Sequence, residues 1–206
     1  MRPFASPMIR RAVLRAASLA LASAVVPAVA QTAPSNTLAK VATTKSITLG
    51  VRNSAPPFAS TDAAGKPSGF SWEVCQAVVR TLADSLKTPL EIKVVPVSLA
   101  ESFDLLRSGK IDLQCGSTTH TQARAEQVDF SNTFFVSGIV TAYRTNDVEY
   151  ASPTEFGRVG ALEGSTAGKA VTVRTKAMTQ RNFKELVPFA TYAEGVEMLK
   201  AGKIDT

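Results

Sequence analysis

The ten residues Cys115-Gly116-Ser117-Thr118-Thr119-His120-Thr121-Gln122-Ala123-Arg124 combine a strand end, a run of hydroxyls and an arginine at the start of a helix. Thr121 is placed to cap that helix, which puts Arg124 in its first turn. A cation there opposes the helix dipole. It is accounted for if an anion occupies the same place, held by backbone N–H groups and a bidentate guanidinium. Such a charge-assisted contact is worth roughly 1.5–3 kcal/mol. The competing arrangement pairs Arg124 with Glu126 or Asp129 on the surface, where an ion pair contributes little. Arg52 is the second cation in a telling position, directly after the alternating strand Ser46-Ile47-Thr48-Leu49-Gly50-Val51. The irregular stretch Asn53-Ser54-Ala55-Pro56-Pro57-Phe58 follows it and is suited to line a cleft. Phe58 reads as a core anchor, and Trp72 faces either core or cleft. His120 is the only histidine, and no Cys/His cluster has metal-ligand spacing, so neither a metal nor a cofactor is expected.

Positioning these residues requires alternating strands and helices. After the first strand, Gly65-Lys66-Pro67-Ser68-Gly69 is a turn, and Ser71 reads as the N-cap of a helix over residues 72–86. Its apolar stripe is Val74, Val78, Val79, Leu82 and Leu86. Residues 90–97 form a second strand, and residues 99–107 a helix ended by Ser108-Gly109. A third strand, 111–115, runs into the hydroxyl loop. This alternation implies an α/β fold with a parallel sheet and ligands at the carboxyl ends of its strands. Arg52 and the Ser117-Thr118-Thr119 loop then share one edge.

The segment Ala100-Glu101-Ser102-Phe103-Asp104-Leu105-Leu106-Arg107-Ser108-Gly109-Lys110-Ile111-Asp112 recurs as Ala193-Glu194-Gly195-Val196-Glu197-Met198-Leu199-Lys200-Ala201-Gly202-Lys203-Ile204-Asp205. Seven of thirteen positions are identical, against the alternative that helix-Gly-strand grammar recurs by chance. Residues 169–174 are expected as the strand before the second copy, matching residues 45–52 before the first. Two related α/β lobes follow, 46–143 and a partial second lobe reached by a hinge crossing in 144–206. The first copy leads into a buried strand and the second stops after Thr206. The expectation is therefore a second lobe left incomplete, with weak or no ligand binding by these 206 residues.

Residues 1–30 read as an export signal. Arg2, Arg10, Arg11 and Arg15 precede an apolar run over residues 16–26, and Ala28-Val29-Ala30 fits a cleavage site before Gln31. A retained signal anchor is disfavoured by Pro27 and by the shortness of the run. Residues 31–45 read as a flexible mature N-terminus. The chain has 23 Lys+Arg against 17 Asp+Glu, and the signal takes four of those arginines and no acid. The balance that remains, with no basic patch interleaved with aromatics, points away from nucleic acid. Cys75 and Cys115 would enter an oxidising compartment, where a disulfide is permitted, with each other or otherwise.

The order Pro57-Phe58, Gly65…Gly69-Phe70, Leu106-x-x-Gly109-Lys110-Ile111-Asp112, Gly116-Ser117-Thr118-Thr119, Thr121-x-x-Arg124, Asp129-Phe130-Ser131 resembles the polar amino-acid-binding family of periplasmic proteins. The resemblance runs from about Ser46 to the end and is strongest from Lys110 to Ser131, nearest the glutamate/aspartate-binding branch. It implies a two-lobed, hinged periplasmic-binding-protein-like fold of type II. It also implies a monomer that captures a free amino acid and delivers it to the permease of an ABC importer. By this resemblance Arg124 grips the ligand α-carboxylate with help from Thr119, Ser117 sits beside the α-amino group, and Thr118 belongs to the same binding loop. Arg52 matches the position facing the ligand side chain, which implies an anionic or strongly polar one. Relatives that bind glutamate and aspartate carry a Ser and an Arg where this chain has Leu99 and Ser102. The second-lobe loop that in the family carries Gly and hydroxyls reads Lys176-Ala177-Met178-Thr179 here, a departure that weakens any carry-over of carboxylate contacts from this lobe.

Two other functions are available to such a scaffold. A dehydratase would need a positioned acid, with Glu73 and Glu101 as the candidates, yet both fall on helix faces that read as solvated. A receptor's sensor domain would need a membrane-spanning segment, and none is visible after the signal.

Overall fold

The computed structural model describes residues 36–147, 155–177 and 182–206. Residues 1–35, which include the expected export signal, lie outside them. The first strand, β1 (Ser46–Arg52), is buried along most of its length. It forms the centre of a parallel sheet, with β5 (Glu91–Val97) on one side and β6 (Leu113–Cys115) on the other. Gly50 is where this sheet comes closest to its neighbours. A Cβ there would meet Ile111 Cδ1 at 2.4 Å, so the absence of a side chain lets the segment leading into β6 cross beneath β1. Between β1 and the first long helix, β2 (Ser54–Ala55), β3 (Ala59–Thr61) and β4 (Pro67–Ser68) form a small antiparallel meander.

That helix, α2, spans Phe70–Leu86, and its N-cap is Gly69 rather than Ser71. Gly69 has φ +112°, and a Cβ would approach the Phe58 carbonyl oxygen to 2.5 Å, so only glycine lets the chain turn so tightly there. Ser71, moved into the first turn, is buried and its hydroxyl donates to Gly116 O at 3.0 Å. The buried stripe is Ser71, Cys75 and Val79, with Trp72, Leu82 and Leu86 packed beside it. Trp72 thus faces the core. Val78, expected on the stripe, lies off it and is exposed. Cys75 and Cys115 form a disulfide between α2 and the end of β6.

Helix α3 (Leu99–Arg107) begins with a capping box. Ser98 accepts from the Glu101 N–H, and the Glu101 carboxylate accepts from the Ser98 N–H at 2.6 Å.

Residues 37–44 are not an irregular tail. They form α1 (Thr37–Thr44), capped by the Asn36 side chain. Its one apolar side chain facing the domain, Val41, is fully buried in the main core. Lys40 reaches across to Asp112 at 2.8 Å and to Gly109 O at 3.1 Å. A single buried valine with a long-range ion pair leaves almost no periodic signal in sequence.

The second half repeats the plan. Parallel strands β7 (Glu155–Leu162) and β8 (Asn182–Phe189) alternate with α5 (Thr166–Ala177) and α6 (Tyr192–Lys200). Gly160 stands against Ile204 as Gly50 stands against Ile111, with a notional Cβ 2.3 Å from Ile204 Cδ1. Pro96 pairs with Val51 in one sheet and Pro188 with Ala161 in the other. The Asp112 carboxylate accepts from the Thr48 N–H, and the Asp205 carboxylate from the Arg158 N–H, at 2.9 and 2.8 Å. The repeat is therefore structural. Its first strand is β7, not residues 169–174, which lie in α5.

Residues 134–142 form no strand; they lead from the short helix α4 (Gln122–Ala125) toward a turn at residues 145–146. No neighbouring strand is available to pair with them among the described residues.

Candidate functional site

Because β1 and β6 are parallel neighbours, with Val51 opposite Cys115, their carboxyl ends bring Arg52 beside Gly116. The contact is close: a Cβ on Gly116 would sit 2.3 Å from Arg52 Cγ. Gly116 thus lets the Arg52 side chain lie flat across the start of the hydroxyl loop. Arg52 is only 3% exposed, and its Nε has no hydrogen-bond partner. A buried, charged guanidinium without a counter-ion is costly unless something pairs with it. Burial pushes its pKa below the ordinary arginine value. Tyr192 opposes that shift, and the positive charge of Arg124 adds to it.

Arg124 is also buried, at 8% exposure, which excludes the surface pairing with Glu126 or Asp129. The Thr121 hydroxyl caps α4 by accepting the Arg124 N–H. With only four residues, α4 contributes little dipole, so the positioning comes from hydrogen bonds. One guanidinium nitrogen donates to Thr119 O and the other to Gly164 O, both at 2.8 Å. The Phe103 ring lies 5.5 Å from the guanidinium carbon, a cation–π distance. Burial lowers the Arg124 pKa as well.

Ser117 and Thr119 are exposed beside these arginines. Thr118 is half-buried, and its hydroxyl donates to the Gln114 side-chain oxygen at 2.8 Å. The Gln114 amide nitrogen is itself buried with no partner. The five residues singled out by sequence are thus gathered along the carboxyl edge of β1 and β6.

Sequence reasoning missed the partner from the second half. The loop after β7, Glu163-Gly164-Ser165, carries a glycine and a hydroxyl, and it, rather than the loop read at 176–179, meets Arg124. Gly164 has φ +72°, and a Cβ there would lie 3.5 Å from Ala100 Cα, so the loop packs on the start of α3 as well as on Arg124. Lys176 and Ala177 end α5, while residues 178–179 lie outside the described residues. The signal that could have found this loop is the pair Gly160 and Gly164 around an apolar β7, which mirrors β1. Leu99 and Ser102 are both buried, and the Ser102 hydroxyl donates to Leu99 O at 2.9 Å. Neither offers a group to a ligand. Glu101 is committed to its cap, and Glu73 is an exposed first-turn residue. Among the described residues, no group of three His, Cys, Asp or Glu could hold a metal ion.

The sequence profile of the bacterial extracellular solute-binding proteins, family 3, matches residues 47–152. The chain is 36% identical over 107 residues to the glutamate/aspartate import solute-binding protein of Escherichia coli K12, covering 52% of this chain and 35% of that one. It is 28% identical over 172 residues to an L-glutamate/L-aspartate-binding protein of Pseudomonas aeruginosa, covering 81% of this chain and 56% of that one. The chain thus spans between a third and somewhat over half of these relatives' lengths. Among solved structures, a solute receptor for L-cysteine from Neisseria gonorrhoeae superposes with a TM-score of 0.62 at 26% identity, covering 82% of this chain and 65% of that one. The architecture is the type II periplasmic-binding-protein fold. The profile match takes in more than half of the chain, with Arg52, the hydroxyl loop and Arg124 inside it, and the chain belongs to the bacterial extracellular solute-binding proteins of family 3.

Proposed function

We propose that this chain captures an acidic amino acid, glutamate or aspartate, and passes it to the permease of an ABC importer. The observation that carries the reading is Arg52: a buried guanidinium with an unpartnered Nε, close enough to Arg124 for the two charges to repel. Two buried like charges without an acid between them form a site that becomes favourable when carboxylates enter. A ligand with two carboxylates supplies both. The α-carboxylate takes Arg124, which presents two nitrogens on one side as a fork, with the Thr119 hydroxyl beside it. Ser117 lies next to the α-amino group, Thr118 holds the loop through Gln114, and the side-chain carboxylate meets Arg52. The names of the Escherichia coli and Pseudomonas aeruginosa relatives support the same substrate class.

Among the described residues, Leu99 and Ser102 leave Arg52 as the cation at the side-chain end, so its substitution should read out specificity directly. We expect Arg52→Gln to weaken glutamate at least tenfold while leaving glutamine within about threefold, since one charge-assisted bond is worth roughly 1.5–3 kcal/mol. Equal losses for both ligands would contradict the assignment of Arg52 to the side chain.

The working cycle in this reading is hinge closure. Lobe 1 is residues 46–143, and the crossing begins at 144–147. Arg144 anchors that crossing to the second half by donating to Leu199 O and Ile204 O at 2.6 and 2.7 Å. A ligand held by Arg124 on one side and the Gly164 loop on the other favours the closed arrangement by its extra contacts there. The signal at residues 1–30, cleaved before Gln31, would deliver the chain to the periplasm as a freely diffusing carrier.

A further inference from the structure

We propose that Gln114 is a positioning residue for Arg52, its amide oxygen accepting the Arg52 Nε–H while its amide nitrogen donates to the Thr118 hydroxyl. This deepens, and rests on, the reading of Arg52 as the anchor for an acidic side chain. Among the described residues, two buried side-chain N–H groups lack a hydrogen-bond partner, Arg52 Nε and Gln114 Nε2. Each is enclosed by packed protein atoms rather than left open at an edge.

The sheet brings the two together. Gly50 pairs with Gln114 and Val51 with Cys115. Leu49, Val51, Leu113 and Cys115 belong to the core beneath α2, where Cys115 joins Cys75. Side chains alternate along a strand, so Arg52 and Gln114 share the opposite face. Arg52 lies across the end of β6 on that face, its Cγ 2.3 Å from a notional Cβ on Gly116. Gln114 is the preceding side chain of β6 on the same face, a diagonal spacing that long side chains bridge.

Thr118 Oγ1 donates to Gln114 Oε1 at 2.8 Å, which leaves Gln114 Nε2 facing no acceptor. The two ends of a side-chain amide have the same shape, and a hydroxyl either donates or accepts. A half-turn of the amide therefore keeps the Thr118 contact, with Gln114 as donor, and puts an oxygen where the unpartnered N–H stood. That oxygen serves Arg52 Nε. One rotation thus satisfies both orphaned donors, each of which is costly to leave buried. Gln114 is neutral, so the Arg52 charge still lacks a counter-ion and still favours a carboxylate. With Nε held, the two terminal nitrogens of Arg52 are left for the ligand as a fork. Thr118, accepting from Gln114, keeps its own hydrogen to donate, and the hydroxyl loop is tied to the arginine.

NMR of the ligand-free chain tests the arrangement without any binding. Overhauser contacts from the Gln114 side-chain amide protons are expected to Thr118 and not to the Arg52 Nε–H. Contacts to the Arg52 Nε–H would overturn the proposal. The Arg52 Nε–H, identified by its loss in Arg52→Gln, should exchange with solvent roughly tenfold faster or more in Gln114→Met, the factor one hydrogen bond to a charged group is worth. Unchanged exchange in a variant that circular dichroism shows to be folded would also overturn it. In glutamate titrations, Gln114→Met should weaken binding in the unaltered background and add nothing where Arg52 is already glutamine. Equal losses in both backgrounds would mean that Gln114 serves the fold and not Arg52. Failure of the unaltered chain to bind either acid would contradict the reading of Arg52, while the NMR contacts would still decide the role of Gln114.

Discussion

Arg124 is defined by what its fork touches. Lysine at this position keeps the charge but has a single nitrogen, and it cannot serve Thr119 O, Gly164 O and a carboxylate together. We expect Arg124→Lys to lower acidic-ligand affinity at least tenfold in calorimetric titration; retained affinity would show that charge alone suffices. Gly116 acts at one remove. With a notional Cβ 2.3 Å from Arg52 Cγ, Gly116→Ala must push Arg52 off the loop, at a cost of about 1–3 kcal/mol for overpacking. The distinguishing result is a reduced preference for glutamate over glutamine, which a purely structural defect would not produce. At this scale the sequence was most legible. Arg52 ends β1, Ser117 and Thr119 follow the end of β6, and Arg124 lies in the short helix after them. Strand ends follow from alternation. The hydrogen bond from Ser71 to Gly116 O was not legible, because it depends on a backbone turn at Gly69 whose φ of +112° no pattern records.

Elements repeat more faithfully than residues do. Gly50 and Gly160 occupy equivalent places beneath Ile111 and Ile204, so alanine at either should destabilise by about 1–3 kcal/mol through overpacking. Removing the offending methyl tests the geometry. Ile111→Val in the Gly50→Ala background, and Ile204→Val in the Gly160→Ala background, should restore a large part of the loss in denaturant midpoint. No recovery would mean that the close contact is not the cause. The Cys75–Cys115 bridge spans 40 residues, and its reduction should cost up to about 4 kcal/mol in the chain-entropy account. Helix-Gly-strand grammar exposed the repeat from Ala100 and Ala193 onward, whereas the strand before the second copy was misplaced. Residues 169–174, Lys-Ala-Val-Thr-Val-Arg, alternate like a strand and carry β-branched residues. Ser165 overrides that local preference by standing at the head of α5, where its hydroxyl meets the Gly168 N–H. Helix α1 escaped notice for the opposite reason, since it spends one buried valine and one lysine on long-range contacts that only the fold assembles.

Across the whole molecule, one carboxylate, Asp205, links several parts of the second half. Hydrogen bonds from the Arg158 side chain hold the Asp205 pKa down to about 2. Arg158 donates to both of its oxygens, and Arg144 stands 3.7 Å away. A carboxylate whose folded pKa is depressed contributes its full stability above the unfolded value near 4, and that contribution is lost as pH falls from about 4 to about 2. With solvent screening it amounts to roughly 1–2 kcal/mol. The thermal midpoint should therefore fall across that window by more in the unaltered chain than in Asp205→Asn, which begins less stable and lacks this titration. Equal slopes would remove Asp205 from the acid response. The same cluster ties the crossing at 144–147 to α6, so it bears on how the halves close around a ligand. Closure on an acidic amino acid is the central claim, and isothermal titration of the purified chain with glutamate, aspartate, glutamine and arginine tests it most directly. Even where affinities are weak, as the incomplete second lobe expected from sequence implies, the predicted order is glutamate or aspartate first and arginine last, because Arg52 and Arg124 repel it. Preference for arginine or glutamine over both acids would contradict it.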